Sequence, residues 1–284
     1  MISVLPRNNF SSDTVDRPSP NLWHDCPWRE IVHGKRRGRV WFDDFADFPL
    51  VGTQTTEIQH GRYKLFNTGT DTVCKVKTIN SVLIPGGALS IQLDTANDSG
   101  SIAVTYPTFL MDGLPASTGK LWFEGCYAQN SVATNMAAVF LGLAETDLWT
   151  LATGVPFNGG DAITNAAAAI GFRIEEDGLG VIDTVYSDRA TSFTNIGDAE
   201  GGTLTAYTFK KLGMLYDPSN TSRAVRFFTD NVECSSALTL AQLTAMTNLD
   251  AGLLGFIFAA CADSGGGSFD NYLKWIRIAQ VLPE

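Results

Sequence analysis

The feature that most limits how this chain can fold is a long succession of short apolar runs, each closed by a turn sequence. The runs cover 61–66, 72–78, 87–93, 101–106, 119–127, 136–144, 168–175, 180–186, 205–216, 222–229, 252–260 and 270–281. Their lengths suit strands and fall short of a membrane span. Between them lie turn formers such as Pro85-Gly86-Gly87, Asn97-Asp98-Ser99-Gly100, Glu176-Asp177-Gly178, Asp217-Pro218-Ser219-Asn220 and Gly265-Gly266-Gly267. In the last run, strict alternation puts Tyr272, Lys274, Ile276, Ile278 and Gln280 on one face and Leu273, Trp275, Arg277, Ala279 and Val281 on the other. Neither face is polar throughout, so both are expected to be covered over part of its length. About twelve such strands predict an all-β, two-sheet sandwich. Only 238–247 (LTLAQLTAMT) looks helical, and the Gly/Ala-rich 152–169 reads as a long loop. Segment 61–110, denser in Thr and Ser, is either a small β subdomain or the first strands of the same sandwich.

Residues 1–40 follow another pattern. They hold Pro6, Pro18, Pro20 and Pro27 and show no periodicity, which predicts an extended arm ordered against a partner surface. Residues 41–116 form a lead-in and β-rich segment, and 117–284 the main sandwich. The arm carries seven Lys/Arg against four Asp/Glu, whereas the rest carries thirteen against twenty-six, within a net charge of −10. That balance argues against nucleic acid as the partner. A basic arm on an acidic body suits docking on an acidic surface. Its apolar residues Leu22, Trp23, Trp28, Ile31 and Val32 exceed what a solvated linker needs. The candidate partner-binding residues are Trp23, Trp28, Lys35, Arg36, Arg37 and Arg39. Immediately after this basic knot, Trp41, Phe42, Phe45 and Phe48 interleave with Asp43, Asp44 and Asp47.

Residue patterns for chemistry are sparse. His24, His33 and His60 have no second ligand at metal-binding spacing, so no metal and no cofactor are expected. Asp94, Asn97 and Asp98 have oxygen donors suited to calcium, but read as ordinary turn formers. Cys26, Cys74, Cys126, Cys234 and Cys261 form no CxxC pair and read as free thiols of a reducing compartment. The opening residues MISVLPRNNF lack the pattern of a secretory leader, and no window has the length of a membrane span. A soluble protein made in the cytosol, without a membrane partner, is expected. No nucleophile elbow, P-loop or dinucleotide fingerprint occurs. Sugar cleavage needs two carboxyls on one cleft, one of them kept protonated near neutrality. Glu175, Glu176 and Asp177 cluster but run into Gly178, a hydrated turn, and nothing places Glu124 opposite Glu145. The chain is therefore expected not to be an enzyme and to hydrolyse no polysaccharide. Trp122, Phe123 and Trp275 read as core, with a sugar-stacking platform as the alternative.

The segments GKLWFEGCY, AVFLGLAET, AIGFRIEEDG, KLGMLYDPSN, AVRFFTDNVE and FDNYLKWIRIAQ resemble, in that order, the concanavalin-type (laminin-G-like) jelly roll of tailed-bacteriophage virion proteins. The opening WFDDFADF resembles the lead-in of those proteins. The resemblance begins near residue 117 and implies a jelly-roll sandwich preceded by the arm. Its motifs are structural, so no active-site residues carry over. It implies a virion structural protein, made in the host cytoplasm and placed on the head surface as a capsid decoration or cement protein. The implied partners are the major capsid protein and further copies of the chain, as a homotrimer at threefold positions. A carbohydrate-binding head or tail fibre module touching host glycan is the alternative, and a glycan-degrading enzyme the third. Deletion of residues 1–40 is expected to leave a folded sandwich.

Overall fold

The computed structural model describes residues 15–45, 58–67, 75–79, 88–93, 98–104, 106–112, 119–132, 137–145, 167–175, 179–246, 248–249, 253–262 and 269–282. They form two antiparallel sheets laid face to face. Sheet A runs in the order β14 (Val232–Leu238), β13 (Val225–Thr229), β12 (Lys210–Tyr216), β7 (Leu121–Gln129), β16 (Phe269–Val281), β5 (Ala88–Leu93) and β4 (Lys75–Ile79). Strand β1 (Gly38–Asp43) pairs with the C-terminal half of β16, on the edge where β5 pairs with its N-terminal half. Sheet B runs β11 (Thr194–Gly197), β10 (Ile182–Asp188), β9 (Ala168–Ile174), β8 (Ala138–Glu145), β15 (Leu254–Ala262), β6 (Asp98–Val104), β3 (Tyr63–Asn67) and β2 (Ile58–His60). Strands from the 41–116 segment thus lie in both sheets.

Alternation places one apolar row of each strand between the sheets. Phe123 and Tyr127 of β7, Phe227 of β13 and Ile276 and Ile278 of β16 meet Leu141 of β8, Phe172 of β9 and Phe256 and Phe258 of β15. Edge-to-face ring pairs tie the layers, Phe172 to Phe227 at 5.5 Å and Tyr127 to Phe258 at 5.8 Å. One detail of the alternation is corrected. The pairing of β16 with β7 shifts between Leu273 and Trp275, so a bulge resets the parity there. Leu273 therefore joins Ile276 and Ile278 in the core, while Tyr272 lies in a separate cluster with Ala88 and Ala128.

The expected helical stretch is α3, Leu240–Thr244, opened by a capping box in which Thr239 and Gln242 satisfy each other's backbone N–H groups. Strand β14 escapes a pattern search because it is an edge strand whose side chains are largely exposed. The loop expected at 152–169 lies mostly outside the described residues, as do Phe48, Asp47, Cys74, Asp94 and Asn97.

The described part of the arm carries secondary structure of its own. Pro20–Trp23 forms α1 and Trp28–Val32 forms α2. Leu22, Trp23 and Ile31 cover the outer face of sheet A, packing with Trp122, Leu215, Phe228, Ala279 and Val281. Gly213 of β12 makes this fit, because a Cβ there would collide with the Leu22 side chain. Deletion of residues 1–40, expected from the sequence to leave a folded sandwich, acts on more than a docking arm. The deletion removes three residues of β1 and uncovers an apolar face. It is expected to reduce soluble yield and lower the urea midpoint. Leu22→Ala alone is expected to cost about 2–4 kcal/mol in urea titration.

Candidate functional site

The outer face of sheet A, beneath the arm, buries the polar side chains of Glu124, Lys211 and Arg277. Alternation on β7 sends Trp122, Glu124 and Cys126 outward and Leu121, Phe123 and Tyr127 inward. Glu124 lies between Gly213 of β12 and Arg277 of β16 in the ladder, and is 1% exposed. The arm closes over it. The Ser19 N–H donates to both carboxyl oxygens, at 3.2 and 3.0 Å, and the Trp23 indole N–H donates at 2.8 Å. Burial pushes this carboxyl up to about 7, against the opposing pull of Ser19, Trp23 and the Arg277 charge.

Further anchors hold the arm along its length. The Trp275 indole N–H donates to the Val15 carbonyl at 2.8 Å. Asn21 and Asn231 exchange two hydrogen bonds, 2.6 and 2.9 Å. The Arg277 guanidinium is stacked between Trp275 and Phe42, 4.6 and 4.8 Å from their ring centres. Burial draws its pKa down to about 10, and the Glu124 carboxyl opposes that shift.

Where the arm meets the end of sheet A, a cleft of about 300 Å³ opens, within the range of small-ligand sites. Asp25, Pro27 and Arg36 of the arm form one wall, and Lys120, Trp122, Asp217 and Ser219 the other. Lys120 bridges the walls, donating to Asp25 at 2.7 Å and Asp217 at 2.8 Å. The Trp122 indole N–H donates to Asp25 at 3.1 Å. Burial raises both carboxyls, but Lys120 outweighs it, together with Trp122 at Asp25 and Ser219 at Asp217, and holds both below the ordinary value. Burial lowers the Lys120 ammonium, and the two carboxylates hold it above its ordinary value.

The sequence-predicted residues divide. Trp23 is buried against its own sandwich, and Trp28 packs edge-on against it at 6.1 Å. Arg39 donates to the Thr108 carbonyl. Lys35, Arg36 and Arg37 are exposed on the turn between α2 and β1, with Arg36 4.0 Å from Glu30. In the acidic-aromatic run, Trp41 enters the core against Phe256 at 5.1 Å, Phe45 is fully buried, and Phe42 points outward onto Arg277. Asp43 accepts from the Tyr63 hydroxyl and the Phe45 N–H. Trp122 and Trp275 are buried under the arm, so neither offers an open platform.

Glu145 pairs with Arg189 and accepts from the Ala168 N–H at the end of β8 in sheet B. It shares no face with Glu124. Glu175 pairs with Arg173, which also reaches Asp183 at 3.1 Å. Among the described residues no three His, Cys, Asp or Glu side chains gather as a metal site. Sequence reasoning missed Asp25, Lys120 and Asp217, because residues 95 and 97 positions apart give no local signal of meeting.

The chain matches no family model and no curated protein. Solved structures do resemble it. An endo-acting O-glycanase of the human gut microbiota, associated with mucin breakdown, matches with a TM-score of 0.53 at 9% identity, over 85% of this chain and 98% of its own. Peanut lectin bound to a nine-residue peptide matches with a TM-score of 0.51 at 12% identity, over 87% and 99%. The endo-1,3-beta-glucanase of Streptomyces sioyaensis matches with a TM-score of 0.52 at 15% identity, over 86% and 96%. The fold is the lectin-type, concanavalin-like sandwich.

These likenesses correct the expectation that the chain is not an enzyme. Two of the three structures are glycan-cleaving enzymes, so this architecture gives no ground for excluding catalysis.

The seam yields a prediction with a definite sign. The carboxyls of Asp25 and Asp217 are depressed, so their contribution is present above 3.8 and lost as pH falls through the lowered values. Lys120→Met leaves their burial unopposed by the ammonium. Both carboxyl titrations, followed by carbon NMR, are expected to move upward.

Proposed function

We propose that this chain is a glycan-contacting jelly-roll module carried on the particle of a tailed phage. The observation that carries the glycan reading is the cleft between Asp25 and Asp217. A cavity of about 300 Å³ suits a single sugar ring. Carboxylates accept from sugar hydroxyls, the Lys120 ammonium donates to them, and the rings of Pro27 and Pro218 offer apolar edges to the C–H face. The two acids and two bases around it leave the cleft without net charge, which favours neutral saccharides. The sandwich fold shared with a lectin and with glycan-cleaving enzymes supports the same class.

The placement on a phage particle is supported by the sequence resemblance, from GKLWFEGCY to FDNYLKWIRIAQ. Attachment to the outer head surface, as a decoration protein, is favoured by one structural observation. Lys35, Arg36 and Arg37 stand exposed on one turn of an otherwise acidic chain, available to an acidic capsid surface.

The test is saturation-transfer NMR against a panel of neutral oligosaccharides, with reducing-end release followed in the same samples. Binding by the native protein is expected, weakened about tenfold or more by Asp217→Asn or Lys120→Met. Absence of binding across the panel, or binding unchanged by both substitutions, overturns the cleft as the glycan site.

A further inference from the structure

Glu124 is a buried carboxyl that the glycan cleft does not use. All three N–H contacts to its oxygens come from the arm, through Ser19 and Trp23. Among the described residues it forms no ion pair. Arg277, its ladder neighbour, instead directs one nitrogen to the Asp16 carbonyl at 3.5 Å and leaves the other buried and unpaired. The Ser19 hydroxyl is buried beside the carboxyl.

Protonation removes the cost of holding a carboxylate, 1% exposed, with no countercharge in ion-pair contact. Oε2 keeps the shorter bonds, from Ser19 N at 3.0 Å and the Trp23 indole at 2.8 Å. Oε1, held only by the longer 3.2 Å contact, is the oxygen left to take the proton. We propose that Glu124 is a proton-operated latch: the segment from Ser19 to Ile31 docks on sheet A with a proton taken up at this carboxyl, so the arm closes in acid and loosens toward neutral pH. Because Asp25, Pro27 and Arg36 belong to the same arm, the latch also assembles one wall of the cleft. Its bearing on glycan rests on the reading above; the latch itself does not.

The sign follows from burial. The docked carboxyl stands at about 7 and the uncovered one at 4.5. The Glu124 contribution to docking is full below 4.5, weakens as pH rises through the interval, and levels off above 7. Other charges face the site: Lys211 on β12, Cys126 on β7, Lys274 and Arg277 on β16, Asp16 on the arm and Asp230 after β13. Lys274 and Asp16 pair with each other at 2.6 Å, whereas the Glu124 carboxyl is contacted by the arm through N–H groups.

The experiment is hydrogen exchange by mass spectrometry on the full chain, reading peptides of residues 19–31 between pH 5 and 8 after correction for intrinsic exchange. The opening equilibrium of the arm is expected to rise roughly a hundredfold in the native protein. In Glu124→Gln the amide mimics the protonated acid, and the arm is expected to stay closed with a flat profile. A flat profile in the native protein overturns the latch, whether or not the variant folds. A rise in Glu124→Gln as steep as in the native protein overturns it as well. Glycan binding is not read here, so failure of the cleft and failure of the latch are separate outcomes.

Discussion

Strand β7 is buried at every position from Leu121 to Gln129, and this single constraint organises the molecule. A strand in the middle of a two-sheet sandwich needs one apolar face for the core. Here the second face is covered too, and sheet B covers only the first. The arm covers the end of the second face with Trp122 and Glu124, and Phe209 and Tyr272 pack with Ala128 at the other end. Once the face is covered, the outward side chains of β7 and β16 lose water and need partners, because an unpaired buried polar group costs more than most contacts return. The arm meets that demand at spaced points. Val15 and Asp16 offer carbonyls to Trp275 and Arg277, Ser19 and Trp23 offer N–H groups to Glu124, and Asp25 answers Lys120 and Trp122.

The change from basic to acidic-aromatic residues near position 40 marks where the chain passes from cover to sheet. The exposed turn with Lys35, Arg36 and Arg37 stands outside both. Immediately after it, β1 adds an edge to β16, and its alternation sends Trp41 into the core and Phe42 outward onto Arg277. The strand therefore fixes the arm's direction from one side while Glu124 and Lys120 fix it from the other. Gly38 lets the entry pass closely, since a side chain there would press on the Gln280 carbonyl and Ile31.

The cleft lies on the seam between these two parts, with one wall from the arm and one from the sheet end. A site built this way depends on the position of the arm, unlike a pocket cut into a single rigid sheet. Its charges differ in kind from the Glu124 node. Asp25, Lys120 and Asp217 satisfy one another across the seam at the water's edge, whereas Glu124 is sealed beneath the arm without a countercharge in ion-pair contact. The first arrangement favours ionised groups and the second a neutral one.

Period-two alternation and regularly spaced turn formers were enough to define an all-β sandwich, because strand spacing and side-chain alternation are local properties of the backbone. The apolar character of both faces of 272–281 also signalled double coverage from residues alone. The bulge at Lys274 was not legible, since one extra residue leaves the pattern of types intact while exchanging the faces. Nor was the fate of the arm, whose tryptophans suit a foreign surface and their own sheet equally well by composition. Glu124, at the centre of LWFEGCY, reads as a candidate carboxyl without a partner, and its burial is not signalled. Only the return of Ser19 and Trp23, more than a hundred positions away in the chain, removes its water and changes its chemistry. Desolvation depends on what lies overhead in space, and that is a property of tertiary structure alone.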